Sequence, residues 1–231
     1  MKLSILIPVY NEHGTLAELL KRIKKVDIGG IKKEIILIDD GSTDGTTDII
    51  KRLKGDYIKC FHKKNSGKGA ALKTGIQAAT GDFIIFQDAD LEYDPFDYPK
   101  LLEPILNKKA NVVFGSRFGQ HDSTKMKANQ WHPMHFVGNK GLTIFFNLLY
   151  GTQLSDVEPC YKLFRAQILK NMPVQSNGFE YDIELMCKIV KKGHKIVQLP
   201  IRYNPRSFEE GKKINWKDGI IAFKTMIKNR F

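Results

Sequence analysis

The chain is 231 residues long, enough for one large α/β domain with a substantial core, and no Pro/Gly/Ser-rich linker divides it. Its 37 Lys and Arg outnumber 25 Asp and Glu for a formal charge of +12, which admits nucleic acid, an anionic membrane surface or phosphorylated substrates as partners. Nucleic acid is set aside, because there is no nucleic-acid-binding motif and the lysines are dispersed over several elements instead of forming one basic stripe. Cys60, Cys160 and Cys187 are odd in number and lack C-x-x-C spacing, which excludes a disulfide framework or a zinc knuckle and predicts buried free thiols.

The apolar run Leu3–Val9 opens the chain as a strand and ends in Tyr10-Asn11-Glu12. It begins without the charged region and long apolar segment of a signal peptide, so the chain is expected to stay in the cytoplasm. Thr15–Lys25 carries apolar residues at helical spacing, and a second run, Glu34–Ile38, ends in Asp39-Asp40-Gly41-Ser42. A helix over Thr46–Leu53 follows, and then Asn65-Ser66-Gly67-Lys68-Gly69 leads into a helix over Lys68–Ala79. That glycine loop lacks the G-x-x-x-x-G-K-[ST] spacing of an ATPase; its glycines permit a tight turn, and the helix N-terminus either helps hold a nucleotide or simply starts the helix.

Asp82–Gln87 is a third run, and Asp88-Ala89-Asp90 stands directly behind it. Asp pairs after strands also serve turns, but three strands here deliver acidic residues to one edge. Strand and helix alternating in this order predict an α/β fold with a doubly wound, mostly parallel sheet and helices on both faces. Ligands of such sheets collect beyond the carboxyl ends of the strands, and two hard oxygen ligands there suit Mg²⁺ or Mn²⁺ bridging a diphosphate. A further run, Asn111–Gly115, precedes Arg117, whose planar fork of donors suits a phosphate.

His132 and His135 suggest a metal pair without a third ligand; their position between Arg117 and Asp156 fits an acceptor loop, with surface or capping roles open. Leu142–Tyr150, interrupted by Asn147, falls short of the roughly 20 apolar residues of a membrane span and reads as a core or interfacial helix. In the last segment Trp216, Ile220, Phe223, Ile227 and Phe231 recur at helical spacing beside Lys217, Lys224, Lys228 and Arg230. That pattern fits a helix lying on a membrane, or an amphipathic helix packed on the core.

Taken in order, Pro8-Val9-Tyr10-Asn11-Glu12, Asp39-Asp40-Gly41-Ser42-Thr43-Asp44, Asn65-Ser66-Gly67-Lys68-Gly69 and Asp88-Ala89-Asp90 resemble the signature of family 2 glycosyltransferases with the GT-A fold. Gly115-Ser116-Arg117-Phe118, Gly138-Asn139-Lys140, Asp156-Val157-Glu158-Pro159-Cys160-Tyr161-Lys162 and Glu210-Gly211-Lys212-Lys213-Ile214 are similar to the branch of dolichyl- and polyprenyl-phosphate mannose or glucose synthases. The resemblance covers nearly the whole chain. It implies one GT-A domain over residues 1–231, with a lid segment and a C-terminal amphipathic helix within 203–231.

The same resemblance implies site roles. Asp90 is the first metal ligand, Asp88 touches the ion or the sugar nucleotide, and Glu92 is a further ligand. Asp39 contacts the base, and Pro8, Tyr10 and Glu12 line the nucleoside pocket, with Lys68 and Ala89 also at the donor; helix capping for Asp39-Asp40 and core packing for Tyr10 are the alternatives. Arg117, Arg202 and Lys213 face phosphates, the latter two in a cationic group with Arg206 and Lys212 whose alternative is a solvated charged loop. Asp156 occupies the position of a general base, which a hydroxyl acceptor requires; a lipid phosphate, already anionic with a second pKa of about 6, needs none. Members that extend polysaccharides carry Q-x-x-R-W, which is missing here and favours the lipid phosphate.

The expectation is therefore an inverting, metal-dependent transfer of a hexose from a nucleotide sugar to a polyprenyl phosphate, by a cytoplasmic protein peripheral to the inner membrane face. A hydroxyl acceptor, a noncatalytic nucleotide-binding membrane-surface module and a nucleotidyltransferase are the rivals. UDP-glucose, UDP-N-acetylhexosamine and GDP-mannose all stay open as donors, as does a separate membrane-protein partner.

Overall fold

In the computed structural model, which describes residues 1–118, 133–206 and 216–231, the apolar runs lie side by side. Strand β1 (Lys2–Val9) sits between β2 (Lys32–Asp39) and β4 (Phe83–Phe86), parallel to both, and β3 (Tyr57–Phe61) adds outside β2. Beyond β4 come β6 (Lys162–Arg165), β5 (Val112–Ser116) and β7 (Ile196–Pro200), so the seven strands run β3-β2-β1-β4-β6-β5-β7. Only β6 is antiparallel to its neighbours, which makes the sheet mostly parallel as the sequence predicts.

Alternation along the strands builds a core on each face. Leu3, Ile5, Ile7 and Val9 of β1 join one core with α1 (Leu16–Lys25), α2 (Thr46–Arg52) and α4 (Tyr98–Leu106). Leu6 joins the other, with α3 (Lys68–Ala78), α5 (Pro133–Tyr150), α6 (Ala166–Lys170), α7 (Tyr181–Lys191) and α8 (Trp216–Arg230). In α1 the three- and four-residue spacing of Leu16, Leu19, Leu20 and Ile23 puts all four on the buried side. Helix α3 comes close to the sheet because its buried positions are small: a Cβ at Gly75 would lie 2.9 Å from Ile38.

The short strands β3, β6 and β7 and the helices α4, α6 and α7 go beyond the sequence reading. Strand β6 carries Lys162 and Arg165 at its ends and gains its place only by pairing with β4 and β5, distant in sequence. Cys160 and Cys187 are buried free thiols, whereas Cys60, on edge strand β3, is only half-buried. Among the described residues no helix is long and apolar enough to cross a membrane.

Candidate active site

The chain winds outward from β1 through β2 to β3 and then returns to place β4 on the other side of β1. That reversal opens a crevice between the carboxyl ends of β1 and β4, where an open α/β sheet binds its ligands. Half-buried Pro8 and Tyr10, together with buried Glu12, leave β1 on one side, and Asp88-Ala89-Asp90 leaves β4 on the other.

Asp39 and Asp40 end β2 as buried turn anchors. Asp39 accepts from the Ser42 amide at 3.0 Å and from the Thr47 hydroxyl. Asp40 accepts from the amides of Ser66 at 3.0 Å and Gly67 at 2.8 Å and meets the His62 ring at 2.6 Å, which ties the glycine loop to β2. Neither caps a helix, since α2 starts behind Gly45. Gly67, at φ +97°, passes so close to the Asn177 carbonyl that a Cβ would come within 2.3 Å of it, and a Cβ at Gly69 would meet Tyr181 at 2.6 Å. The glycines are thus required by close packing, and between them Lys68 is carried to the Asp88 carboxylate.

The exit of β4 is rigid. Buried Gln87 accepts from the hydroxyls of Tyr98 (2.6 Å) and Tyr161 (2.7 Å) and donates to the Asp88 carbonyl at 2.9 Å. Ala89 is buried in the core, while Asp88 and Asp90 keep 22% and 24% of their side chains exposed. Lys68 Nζ is 2.8 and 3.1 Å from the two Asp88 oxygens and 3.5 Å from Asp182, which also pairs with fully buried Lys162 at 2.7 Å. Burial alone would depress the Lys68 ammonium, but Asp88 and Asp182 hold it well above the ordinary lysine value. Burial would likewise raise Asp182, yet Lys162 and Lys68 hold it below the usual carboxylate range.

Glu92, expected as a further ligand, accepts from the Tyr203 hydroxyl at 3.1 Å and the Arg206 amide at 2.8 Å, and its own amide donates to Asp90 Oδ1 at 3.1 Å. With the Tyr93–Tyr203 bridge it fastens residues 203–206 across the loop behind β4. From there Arg206 donates to the Asp90 carbonyl and the Glu12 carboxylate, both at 2.8 Å, with the Asp90 carboxylate 4.0 Å away. Arg202, expected at a phosphate, is 58% exposed beside Asp94 and Asp97. Lys213, Lys212, His132 and the side chain of His135 lie outside the described residues.

Among the described residues no three acidic, histidine or cysteine side chains converge as a metal cluster. Two partly exposed carboxylates nevertheless fit Mg²⁺ or Mn²⁺, because such ions take one or two carboxylates and fill the remaining positions with water and substrate phosphates.

On the far side of the crevice Arg117 and Asp156 form a closed pair. Nε and Nη2 of Arg117 donate to the two Asp156 oxygens at 2.8 Å each, and the Arg117 amide adds a third bond at 3.1 Å. Asp156 is fully buried; burial would raise its carboxyl, but Arg117 holds it below the usual range. Arg117 lies 5.6 Å from the Tyr203 ring, so Tyr203 links this pair to Glu92. Half-buried Glu158 follows, its carboxyl pushed up to about 7 by burial against the pull of Arg117, with Asp156 and Asp182 adding to the rise.

The structure thus gathers Pro8, Tyr10, Glu12, Asp39, Lys68, Asp88, Asp90, Arg117 and Asp156 around one sheet edge and adds Asp182 and Glu158. Asp182 carries a faint sequence signal, an acidic residue in the first turn of a helix behind Gly178.

Over residues 4–172 the chain matches the model of a family described as Glycosyl transferase family 2. It is 31% identical, over 97% of its length, to an uncharacterized protein of Methanocaldococcus jannaschii, of which it covers 89%. It is 30% identical, over 92% of its length, to a dolichol-phosphate mannosyltransferase of Pyrococcus furiosus, of which it spans 59%. Its fold superposes, over 99% of the chain, on 79% of glucosyl-3-phosphoglycerate synthase of Mycobacterium tuberculosis solved with Mn²⁺, UDP and glucosyl-3-phosphoglycerate, at a TM-score of 0.71 and 18% identity.

Proposed function

The chain belongs to glycosyltransferase family 2 and has the GT-A fold, and from that premise we propose that it moves a hexose from a nucleotide sugar to a polyprenyl phosphate at a membrane face, with inversion at the anomeric carbon. The similar Pyrococcus protein is a dolichol-phosphate mannosyltransferase, and the structural neighbour holds Mn²⁺ with UDP. The first supports a lipid-phosphate acceptor and the second a diphosphate-linked donor.

In this reading Asp88 and Asp90 hold Mg²⁺ or Mn²⁺, which when bound offsets the negative charge growing on the departing diphosphate. Asp39 with Pro8, Tyr10 and Glu12 forms the nucleoside end, and Lys68 and Arg206 line the diphosphate. Arg117 receives the acceptor phosphate, and Asp156 fixes the guanidinium for it.

The observation that carries the choice of acceptor is the Arg117–Asp156 pair. Both Asp156 oxygens are bound by Arg117 and the carboxyl is fully buried, which suits a positioning residue better than a base that must take a proton from substrate. A phosphate oxygen needs no such base, since it is already ionised above a pKa of about 6.

Support for a membrane face comes from α5 and α8, which pack through Phe145 and Phe223 with ring centroids 4.3 Å apart. Ile144, Leu148, Ile220 and Ile227 on these helices are exposed, and Lys224, Lys228 and Arg230 on α8 are exposed with them. The C-terminal helix is therefore read as both core-packed, through Ala222 and Met226, and membrane-facing.

Glu158 favours one second reading, transfer to a hydroxyl, because a carboxyl pushed up to about 7 is well poised as a general base. Mass spectrometry after mixing protein, Mn²⁺ or Mg²⁺, a short polyprenyl phosphate and a panel of UDP- and GDP-sugars separates the two. A hexosyl phospholipid that disappears in Asp90→Ala supports the first reading; donor consumed only with a hydroxyl acceptor sinks it.

A further inference from the structure

Two carboxylates one residue apart, each about three-quarters buried, repel each other unless a cation stands within a few ångströms. Each has one. Lys68 sits on Asp88, and Arg206 sits on the Asp90 carbonyl with the carboxylate 4.0 Å off. Each of these cations also reaches a second carboxylate outside the Asp88-Ala89-Asp90 loop: Asp182 at 3.5 Å from Lys68, and Glu12 at 2.8 Å from Arg206.

We infer that Lys68 and Arg206 are exchangeable counterions of the Asp88-Ala89-Asp90 loop, and that Asp182 and Glu12 are the carboxylates that retain them when a divalent ion takes the loop. Lys68 would leave a contact at 2.8 Å for one now at 3.5 Å, a movement smaller than the side chain's own reach. Asp182 stays in place for it because Lys162, fully buried and bonded to the Pro159 carbonyl, grips the other side of that carboxylate. Arg206 stays because Glu92 holds its backbone amide.

Charge balance then couples the ion to the nucleotide. Asp88, Asp90, Asp182, Glu12 and Glu92 surround Lys68, Lys162 and Arg206. A divalent ion adds two positive charges beside two cations just displaced from the loop, and a diphosphate brings negative charge that offsets them. Ion binding should therefore be weak alone and strengthen with nucleoside diphosphate, with Lys68 and Arg206 kept at the position the diphosphate enters.

The inference rests on Asp88 and Asp90 as ion ligands, and its test is Mn²⁺ binding to the full chain followed by electron paramagnetic resonance, without substrate turnover. Lys68→Met and Arg206→Met should each tighten nucleotide-free Mn²⁺ binding by about tenfold, by uncovering a carboxylate. Asp182→Asn should weaken it by about tenfold, by leaving Lys68 no alternative to Asp88. General damage to the fold does not tighten a metal site, so the gain in the first two variants decides the matter even if Asp182→Asn fails to fold.

The proposal is overturned if neither Lys68→Met nor Arg206→Met tightens binding, or if the gain survives Asp90→Asn. If UDP and GDP both leave Mn²⁺ binding of the unaltered protein unchanged, the nucleotide-sugar reading fails instead, and the comparison among variants still reports on the counterions.

Discussion

Replacing Asp156 by Asn keeps the shape of the side chain and removes its charge, which isolates what the carboxylate does for Arg117. Arg117 is only 9% exposed, and it and its amide make three bonds to Asp156. Leaving one member of such a pair charged and buried costs about 3–5 kcal/mol. For a chain of this size each kcal/mol lowers Tm by roughly 2–4 °C, so Asp156→Asn should melt about 6–20 °C lower. The double variant Asp156→Leu with Arg117→Met removes both charges and should recover most of the loss, because an apolar pair of similar volume often replaces a buried ion pair at little cost. Urea and thermal unfolding followed by circular dichroism measure both. Asp156 titrates below its ordinary range, so its contribution is present above about pH 4, the unfolded pKa, and fades as pH falls through the lower folded value. The gap between the unaltered protein and Asp156→Asn should close accordingly in acid. A loss under about 1 kcal/mol in Asp156→Asn, or a double variant no more stable than the single one, refutes the positioning role. Full stability with a lost rate would return Asp156 to the part of a base.

Glu158→Gln should flatten the pH dependence of stability between pH 4.5 and about 7, where the folded protein holds a proton that the unfolded chain releases. The unaltered protein loses stability as pH rises through that window, and the variant should exceed it by roughly 3 kcal/mol at pH 8; identical slopes in chemical denaturation would contradict the burial of this carboxyl. Gly67→Ala meets both a positive φ and the Asn177 carbonyl, and is expected to cost about 2–4 kcal/mol in unfolding while loosening Lys68; a neutral substitution would mean that the loop has room the structure denies. Leu148→Glu with Ile227→Glu alters exposed positions, so it should leave Tm within about 1 °C and release the protein from anionic vesicles in a flotation assay. Retention on the vesicles would argue against the α5–α8 face. Chelation of divalent ions should abolish transfer with folding intact, and full activity in excess EDTA would remove the metal from the reading.

What was legible in the sequence follows from the range of the interactions. Strands β1, β2, β4 and β5 and helices α1 to α3 announce themselves because apolar runs and helical spacing are local, and the acids behind the strands share an edge because parallel strands point one way. Strand β6 was not legible, since Lys162 and Arg165 suit its ends only once β4 and β5 flank it. The different surroundings of Arg202 and Arg206 could not be read either. They stand four apart in an irregular segment, and it is the Tyr93–Tyr203 bridge, a contact across a hundred residues of chain, that sends Arg206 to Glu12 and leaves Arg202 beside Asp94. Asp182 escaped notice for the same reason, as its partners come from α3 and β6.

The excursion that carries α5 gives the membrane and phosphate readings a common cause. The chain leaves the sheet at Arg117 and comes back to it through α5 and then Asp156, so the ion pair closes a segment whose helix exposes Ile144 and Leu148. Asn147, the polar residue that breaks the apolar run, is what fastens the return: its amide donates to the Leu154 carbonyl at 2.8 Å and its oxygen accepts from the Leu154 amide at 2.9 Å and the Thr152 hydroxyl at 2.7 Å. Ser155 is held in turn by Gln198 of β7 at 2.6 Å, and Gln198 donates to the Asp156 carbonyl at the same distance. Under the proposed membrane reading, a displacement of α5 by a lipid surface would have a direct covalent and hydrogen-bonded route to Asp156, and through it to the Arg117 guanidinium. A water-soluble acceptor would make no use of that route, whereas a lipid phosphate requires its apolar tail and its anionic head to be met by one connected piece of chain.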